Sequence, residues 1–406
     1  MIKKIPFADL KIGMFVHDLD TDWFNHPFVR NQFPLREAAE IERIRQAGIT
    51  SLYIDTDKGL DVVDAPTREE VSQRVHEEIV QAVTAEAPII RMTVAEEIGR
   101  AGRIKSQAKA AVQQVMHDVR LGKVVQVSSL EPLVDEITKS ISRSTGALTA
   151  LLQIKTADEY TFLHSVAVCA LMVSFTRSVG FDSSVVQMAG MGGLLHDTGK
   201  MKVPNEILNK PGRLTEEEFD IIKQHPRLGW EALKDVPEIP EIALDITLHH
   251  HERFGGGGYP HGLEGEQIST LARMAAIVDV YDAITSNRSY HKGLSPTEAL
   301  RRMWEWTPAH LDPKLMQAFI RMVGIYPVGS VVRLESGRVG VVSEHNVTEM
   351  LKPKVKVFFS TRSKAYLPVQ EIDLSRSFGA GGADRIIDYE DAGAYRVDPA
   401  QILAGV

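Results

Sequence analysis

The chain has 406 residues, 44% of them apolar and 25% charged, and its 46 basic and 54 acidic side chains leave a formal net charge of −8. That length exceeds one ordinary core and implies about two to four domains. The composition is that of a soluble globular protein. The negative balance excludes bulk attraction to DNA or RNA polymers or to an anionic membrane, while leaving room for a local cationic pocket. A single cysteine, Cys169, excludes an internal disulfide framework and suits a reducing compartment, with the cytoplasm as the default. It sits in the apolar helical run Val166–Leu171, which gives it a packing role. Met1–Pro6 lacks the apolar stretch of a signal peptide, and no run approaches about 18 uninterrupted apolar residues, so neither leader nor membrane span is expected.

Residues 1–65 read as a small α/β unit, with strands at Lys11–Val16 and Ser51–Ile54 and a helix from Leu35 to Gln46 that Gly48 stops. Asp18, Asp20, Asp22 and His26 cluster there, and a solvated turn explains them better than a metal site. Residues 66–129 are polar and helical. Thr67-Arg68-Glu69-Glu70 and Thr93-Val94-Ala95-Glu96 are capping boxes that open two helices, and Gly102, Ala108, Ala110 and Ala111 keep the second one adaptable. This stretch reads as a solvated connector or as a dimer-forming arm. Residues 130–324 are overwhelmingly helical. A long helix is expected over about 159–179, another from Ser183 or Ser184 to His196, a third from Thr215 to about His225-Pro226, and a fourth from Pro240 into His249-His250-His251. Ser269 caps a fifth that carries Asp279 and Asp282, Ser295-Pro296-Thr297-Glu298 opens a sixth, and Asp312-Pro313 opens the last, closed by Gly324. From 325 to 375 the pattern turns β-rich, with Ser336-Gly337 as a hairpin turn, and residues 376–406 read as a loosely ordered, glycine-rich tail. The fold class expected is multidomain and mainly α: an all-helical bundle between a small α/β domain and a small β-rich appendage.

Candidate ligands recur along the helical part: His164, His196-Asp197, His225, His250-His251 and Asp279. Each lies in or at the end of an expected helix, and a bundle aims such side chains at one point. Imidazoles and carboxylates without thiolate suit Fe, Mn, Zn or Ni rather than a cysteine-type structural zinc site. Five histidines and two aspartates are too many for one ion with an open position and suit two ions bridged by a carboxylate. A lone helical histidine such as His164 is more often a core residue than a ligand. The tetraglycine Gly255–Gly258 forms no helix or strand. By itself it reads as a flexible loop, but it follows candidate ligands directly and ends in a rigid Tyr259-Pro260, which suits a pocket mouth.

His196-Asp197-x-Gly199-Lys200-x-x-x-Pro204-x-x-Ile207-Leu208, His225-Pro226, His250-His251-Glu252 and Gly258-Tyr259-Pro260 resemble the HD-GYP family. This is a branch of the HD metal-dependent phosphohydrolases that hydrolyses cyclic di-GMP. The resemblance covers about residues 130–324, and the run from Ala276 to Tyr290 is similar to the family's downstream helix. The small N-terminal domain of unknown function resembles a known bacterial arrangement. Carried over by position, the resemblance implies an HD-type bundle with metal ligands at His164, His196, Asp197, His225, His250, His251 and Asp279. Asp197 would bridge, and Lys200, Arg288 and Lys292 would bind substrate phosphate. Gly258, Tyr259 and Pro260 would form the signature loop. It implies Fe or Mn as the two divalent ions, cyclic di-GMP as substrate, pGpG and in some members GMP as products, and protein partners such as diguanylate cyclases docking on the signature loop. The arm reading of residues 66–129 leaves room for a homodimer.

Three departures from the family's pattern matter. Members with three metals carry a Glu four residues before the first ligand histidine. Tyr160 stands there, and Glu159 points about 100° away on a helix, so a binuclear site is expected. Gly255 replaces a usual Asp and is expected to loosen the loop. His291 stands where a lysine is common, which would make phosphate affinity at that point depend on pH. Two other readings remain beside the phosphodiesterase: a catalytically weak, metal-containing cyclic di-GMP sensor or scaffold, and an HD hydrolase of another cyclic nucleotide.

Overall fold

The computed structural model describes residues 1–20, 32–71, 73–74, 77, 92–126, 130–153, 160–210, 212, 214–286, 293–346, 349, 351–376, 379 and 383–405. The chain opens with β1 (Ile2–Pro6), β2 (Phe15–Asp18), β3 (Phe33–Pro34), α1 (Ala38–Gln46) and β4 (Ser51–Asp55), whose strands form a sheet in the order β1-β4-β2-β3. Ile2 pairs with Asp55 and Pro6 with Ser51, antiparallel. Ile5, Val16, Leu35, Ile44, Leu52 and Ile54 bury together as the core of this unit. β1 was not anticipated, because Ile2 and Ile5 alone are too short an apolar pattern to announce a strand. Asp22 and His26 of the expected acidic cluster lie outside the described residues, as do Glu159, Arg288, His291 and Lys292.

The helical part runs α2 (Val94–Arg120), α3 (Glu131–Arg143), α4 (Thr145–Gln153), α5 (Tyr160–Val179), α6 (Ser183–Leu195), a 3-10 turn (Thr198–Lys202), α7 (Asn205–Leu208), α8 (Glu216–Ile222), α9 (His225–Leu233), α10 (Glu241–His249), α11 (Thr270–Thr285), α12 (Pro296–Glu305) and α13 (Pro313–Val323). The cap chemistry lies where the sequence placed it. Thr93 and Thr215 close full capping boxes, and the side chains of Ser269, Ser295 and Asp312 accept from the first turns of α11, α12 and α13. Two boundaries differ. Asp182, not a serine, precedes α6, and α8 ends at Ile222. His225 therefore opens α9 instead of ending α8, because Pro226 fits the first turn of a new helix and cannot donate inside an old one.

α5 is buried on every side, as Leu163, Val166, Ala167, Cys169, Ala170, Val173 and Phe175 show. Among the described residues it is the one helix long and apolar enough to cross a membrane, over Thr161–Val179, and 78% of that window is buried inside the protein. Cys169 is wholly buried, and burial pushes its thiol pKa up, in line with a packing role. α2, expected as a connector or an arm, buries Ile98, Ala101, Ile104, Ala108, Val112, Val115 and Val119 in one core with α4 and α5. Its Glu97 is fully buried and takes a bidentate bond from Arg143 of α3 at 2.9 and 2.7 Å.

β5 (Val331–Leu334), β6 (Arg338–Glu344), β7 (Lys354–Ser360), β8 (Ala365–Asp373) and β9 (Ile386–Tyr389) form an antiparallel sheet in the order β8-β7-β6-β5-β9. Gly337, at φ 81°, turns the β5–β6 hairpin. The C-terminal stretch, expected to be loose, supplies β9 to this sheet and α14 (Pro399–Ala404), whose Ile402 and Leu403 join the core that contains α2. Short apolar runs such as Ile386-Ile387 take their structure from a partner, which is why local pattern missed them.

Candidate metal centre

The centre sits where α5, α9, α10, α11 and the α6 C-terminus converge. α6 ends at Leu195 with His196 and Asp197 just beyond it, and the chain then tightens into the 3-10 turn that carries Lys200. Gly199 is required by close approach rather than by a left-handed turn: a Cβ there would stand 1.9 Å from the His225 carbonyl oxygen and 2.4 Å from the Gly229 nitrogen. That approach brings α9 against the turn and seats His225 opposite Asp197. α10 delivers His250 and His251 at its C-terminal end, and α11 delivers Asp279 from its middle.

All seven side chains expected as ligands come together. Among the described residues, His164, His196 and Asp279 place ligand atoms within 4.8 Å of one another, as do His225, His250 and His251, and as do His196, Asp197 and His250. Asp197 lies between the first two groups. Its Oδ2 faces His164 Nε2 at 3.6 Å and His196 Nε2 at 3.4 Å, and its Oδ1 faces His225 Nε2 at 3.3 Å and His250 Nε2 at 3.9 Å. His164 Nε2 is also 2.9 Å from Asp279 Oδ1, and His251 Nδ1 is 4.0 Å from Asp279 Oδ2.

The outer hydrogen bonds fix which nitrogen faces inward. Nδ1 of His196, His225 and His250 donates to the carbonyls of Gly193, Ile222 and Thr247 at 2.8, 2.8 and 3.0 Å. Nδ1 of His164 donates to Asp282 Oδ2 at 2.7 Å. Each Nε2 is therefore left as a lone pair pointing at the centre. His225 Nε2 and His250 Nε2 stand only 3.3 Å apart, an arrangement of two acceptors that needs a cation or a proton between them. His196 Nε2 and Asp197 Oδ1 are buried and have no hydrogen-bond partner. Neutral imidazoles, carboxylates and orphaned inward atoms fit divalent metal ions.

Electrostatics agree. Burial lowers the pKa of His225 and lowers that of His250 further, where His251, His196 and His225 add like charge. Burial and His225 push His251 down to about 3. These three rings are neutral, as ligands must be. His196 runs the other way: burial lowers it, but Asp197 and Asp279 together raise it. Burial would raise Asp197 and Asp279. Lys200, His196 and His225 hold Asp197 well below the carboxylate range, and the His164 and His196 rings facing Asp279 do the same for it. The His251 and Lys200 side chains are the exposed ones, at 20% and 26% against 1–3% for His164, His196, Asp197 and His225. Lys200 Nζ meets Asp197 Oδ2 at 2.6 Å.

The glycine loop is built, not loose. Phe254 and Gly255 donate their amides to the carbonyls of His310 and Ala309 at 2.9 and 3.1 Å. A Cβ on Gly255 would stand 2.7 Å from the Ala309 oxygen, so an aspartate there would push the loop off this wall. The expectation that Gly255 loosens the loop is thus corrected. Tyr259 stacks on His251 with ring centroids 4.8 Å apart and donates its amide to the His251 carbonyl at 3.2 Å. Two residues that stand in the sequence motifs without an assigned role support the centre and its loop. Asp282 orients His164, and buried Glu252 accepts from the His261 and Leu263 amides at 2.7 and 3.0 Å, tying the far end of the loop. The signals were the three-residue spacing from Asp279 to Asp282 and the placement of Glu252 next to His251.

Comparison with known proteins agrees with this geometry. Residues 2–130 match the model of a domain of unknown function, DUF3391, and residues 137–315 match that of the HD domain. The chain is 47% identical to the cyclic di-GMP phosphodiesterase PA4108 of Pseudomonas aeruginosa, over 97% of this chain and 94% of that one. It is 29% identical to the cyclic di-GMP phosphodiesterase response regulator RpfG of Xanthomonas campestris pv. campestris, over 61% of this chain and 65% of that one. It is 33% identical to the 3'3'-cGAMP-specific phosphodiesterase 1 of Vibrio cholerae, over 42% of this chain and 41% of that one. With near-complete coverage of one relative and an HD domain built around this histidine–aspartate centre, the chain belongs to the HD-GYP family of HD-domain proteins, joined here to a DUF3391 domain.

Proposed function

We propose that this chain is a metal-dependent phosphodiesterase that hydrolyses cyclic di-GMP to linear pGpG, with GMP as the product of any further cut. The observation that carries the reading is Asp197 set between two histidine groups, one oxygen toward each. His164, His196 and Asp279 would hold one divalent ion and His225, His250 and His251 a second, with Asp197 between them. Fe or Mn suits these donors. When bound, such a pair supplies Lewis acidity that lowers the pKa of a water and draws charge from phosphoryl oxygens.

The chain's own residues do the rest. Inward Nε2 atoms, locked by carbonyls and by Asp282, keep the site pre-organised. Lys200, at the open side, neutralises a non-bridging phosphate oxygen, and Arg288 with Lys292 grips the rest of the phosphate. Lys200 puts a positive charge at the exposed side of the centre in an overall acidic chain. Tyr259, stacked on His251, shapes that side, and the Gly258–Pro260 loop is the docking face for protein partners such as diguanylate cyclases. The similarity to a relative named for 3'3'-cGAMP favours one second reading, hydrolysis of a different cyclic dinucleotide by the same site. Incubating anaerobically prepared, Mn(II)-loaded protein with each dinucleotide and separating the products decides between them. Linear pGpG from cyclic di-GMP supports the proposal. Turnover of cyclic GMP-AMP alone moves the assignment, and no product from either removes it.

A further inference from the structure

α12 carries Glu298, Arg301, Arg302 and Glu305 at positions one and two turns apart, so they share a face, while Ala299, Leu300 and Met303 bury on the opposite one. That charged face meets the N-terminal unit. Lys4 of β1 bridges Asp20 at 2.7 Å and Glu305 at 3.1 Å, and the Tyr53 hydroxyl of β4 donates to Glu305 at 2.8 Å. Arg301 bonds Glu305 and pairs bidentately with Glu298, at 3.0 and 2.6 Å. Arg302 reaches Asp18 and Arg68 reaches Glu298, both at 3.3 Å. The centre of this network is dry: the Glu305, Asp20 and Arg301 side chains are 2%, 5% and 7% exposed. The N-terminal core closes on itself, and among the described residues Val71 is the buried apolar side chain before α2 that joins the α11–α13 core. The junction is therefore held by buried charge. Such pairs contribute little net stability but fix one geometry, and removing one partner is costly.

The other face of α12 leads to the metal centre. Ala299, Leu300 and Met303 share a core with Ala275, Val278 and Tyr281 of α11, and the Leu294 amide donates to Ile284 at 2.8 Å. α11 carries Asp279 and Asp282, one facing each nitrogen of His164. The C-terminal sheet grips the other end of α12, where the Thr297 hydroxyl bonds the Ile325 carbonyl at 2.6 Å and meets Tyr389 of β9. We infer that α12 is a coupling helix, that docking of the N-terminal unit on it sets the position of Asp279 and Asp282, and that Glu305 is a positioning residue for the metal centre. The inference rests on the proposed function only for its consequence on turnover.

The test uses the full chain, stripped of metal, as wild type, K4M, E305Q, the double variant and the milder Y53F. Mn(II) affinity and melting temperature are measured for each, then turnover of cyclic di-GMP at saturating Mn(II). The coupling predicts that K4M and E305Q each weaken Mn(II) binding or lower kcat by about 3–30-fold, and that the double variant goes no further because both act through one network. Y53F shifts in the same direction by less, and it decides the matter if a buried-charge variant fails to fold. Unchanged Mn(II) affinity and unchanged kcat in variants whose melting temperature falls would overturn the coupling and leave the network purely structural. A wild type that binds Mn(II) without turnover counts against the phosphodiesterase reading alone, since the affinity arm still decides the coupling.

Discussion

His164 is held between two carboxylates of a single helix, Asp279 on its Nε2 side and Asp282 on its Nδ1 side. The Asp282 bond sets the tautomer, so its loss leaves a buried imidazole N–H without a partner and a misdirected lone pair. Asp282→Ala is therefore expected to weaken divalent-metal affinity about 10–100-fold, read by Mn(II) titration. An unchanged dissociation constant would mean that α5 packing alone orients His164. The sequence made Asp279 legible and not Asp282, for a physical reason. A ligand carboxylate announces itself by its place in a motif, whereas its neighbour one turn away looks like any solvated helix face. His196-Asp197 and His250-His251 were legible as polar pairs ending apolar helices, whereas His164, His225 and Asp279 took their role from the resemblance to the HD-GYP motifs. Lys200 was legible for the same reason.

At the scale of elements, caps and prolines fixed most helix starts, because their hydrogen bonds are local. What stayed hidden depends on contacts distant in sequence. Gly255 looked like slack, yet its wall is the Ala309 carbonyl, more than 50 residues on. Gly255→Asp is expected to displace the loop and unstack Tyr259 from His251, seen as a loss of protection of the Phe254 and Gly255 amides in hydrogen exchange. Protection equal to wild type would restore the reading of a slack loop. α2 looked solvated because its stretch is polar, and nothing local says that its Glu97 pairs with Arg143 of α3. Removing one partner of a buried pair costs about 3–5 kcal/mol, so Glu97→Ala is expected to lower the unfolding free energy by that order in urea titration. A change near zero would return α2 to the status of a connector.

For the whole molecule, the centre couples stability to pH. His225, His250 and His251 titrate below the ordinary value of 6.5 when folded, so below that value the unfolded chain binds more protons than the native one. Stability of the metal-stripped protein thus falls as pH drops from about 6.5 toward the value of about 3 reached by His251. His196, raised when folded, acts above about 6.5 instead, where its contribution is lost as pH rises, and it is one ring against three. Asp197 and Asp279 add stability above the ordinary carboxylate value that is lost only in stronger acid. The melting temperature of stripped protein should be lower at about pH 5.5 than at about pH 7.5, with a smaller difference in His250→Ala. Equal values at both pH would show that the three rings are not held neutral.

The centre would hold two ions on either side of Asp197 and use them to cleave cyclic di-GMP. Elemental analysis of anaerobically purified protein, paired with chromatography of its cyclic di-GMP products, tests it most directly. About two ions per chain with pGpG formed, both lost in His196→Ala and Asp197→Ala, is the predicted result. Three ions per chain, no product with Fe(II) or Mn(II), or full activity in either variant would contradict it.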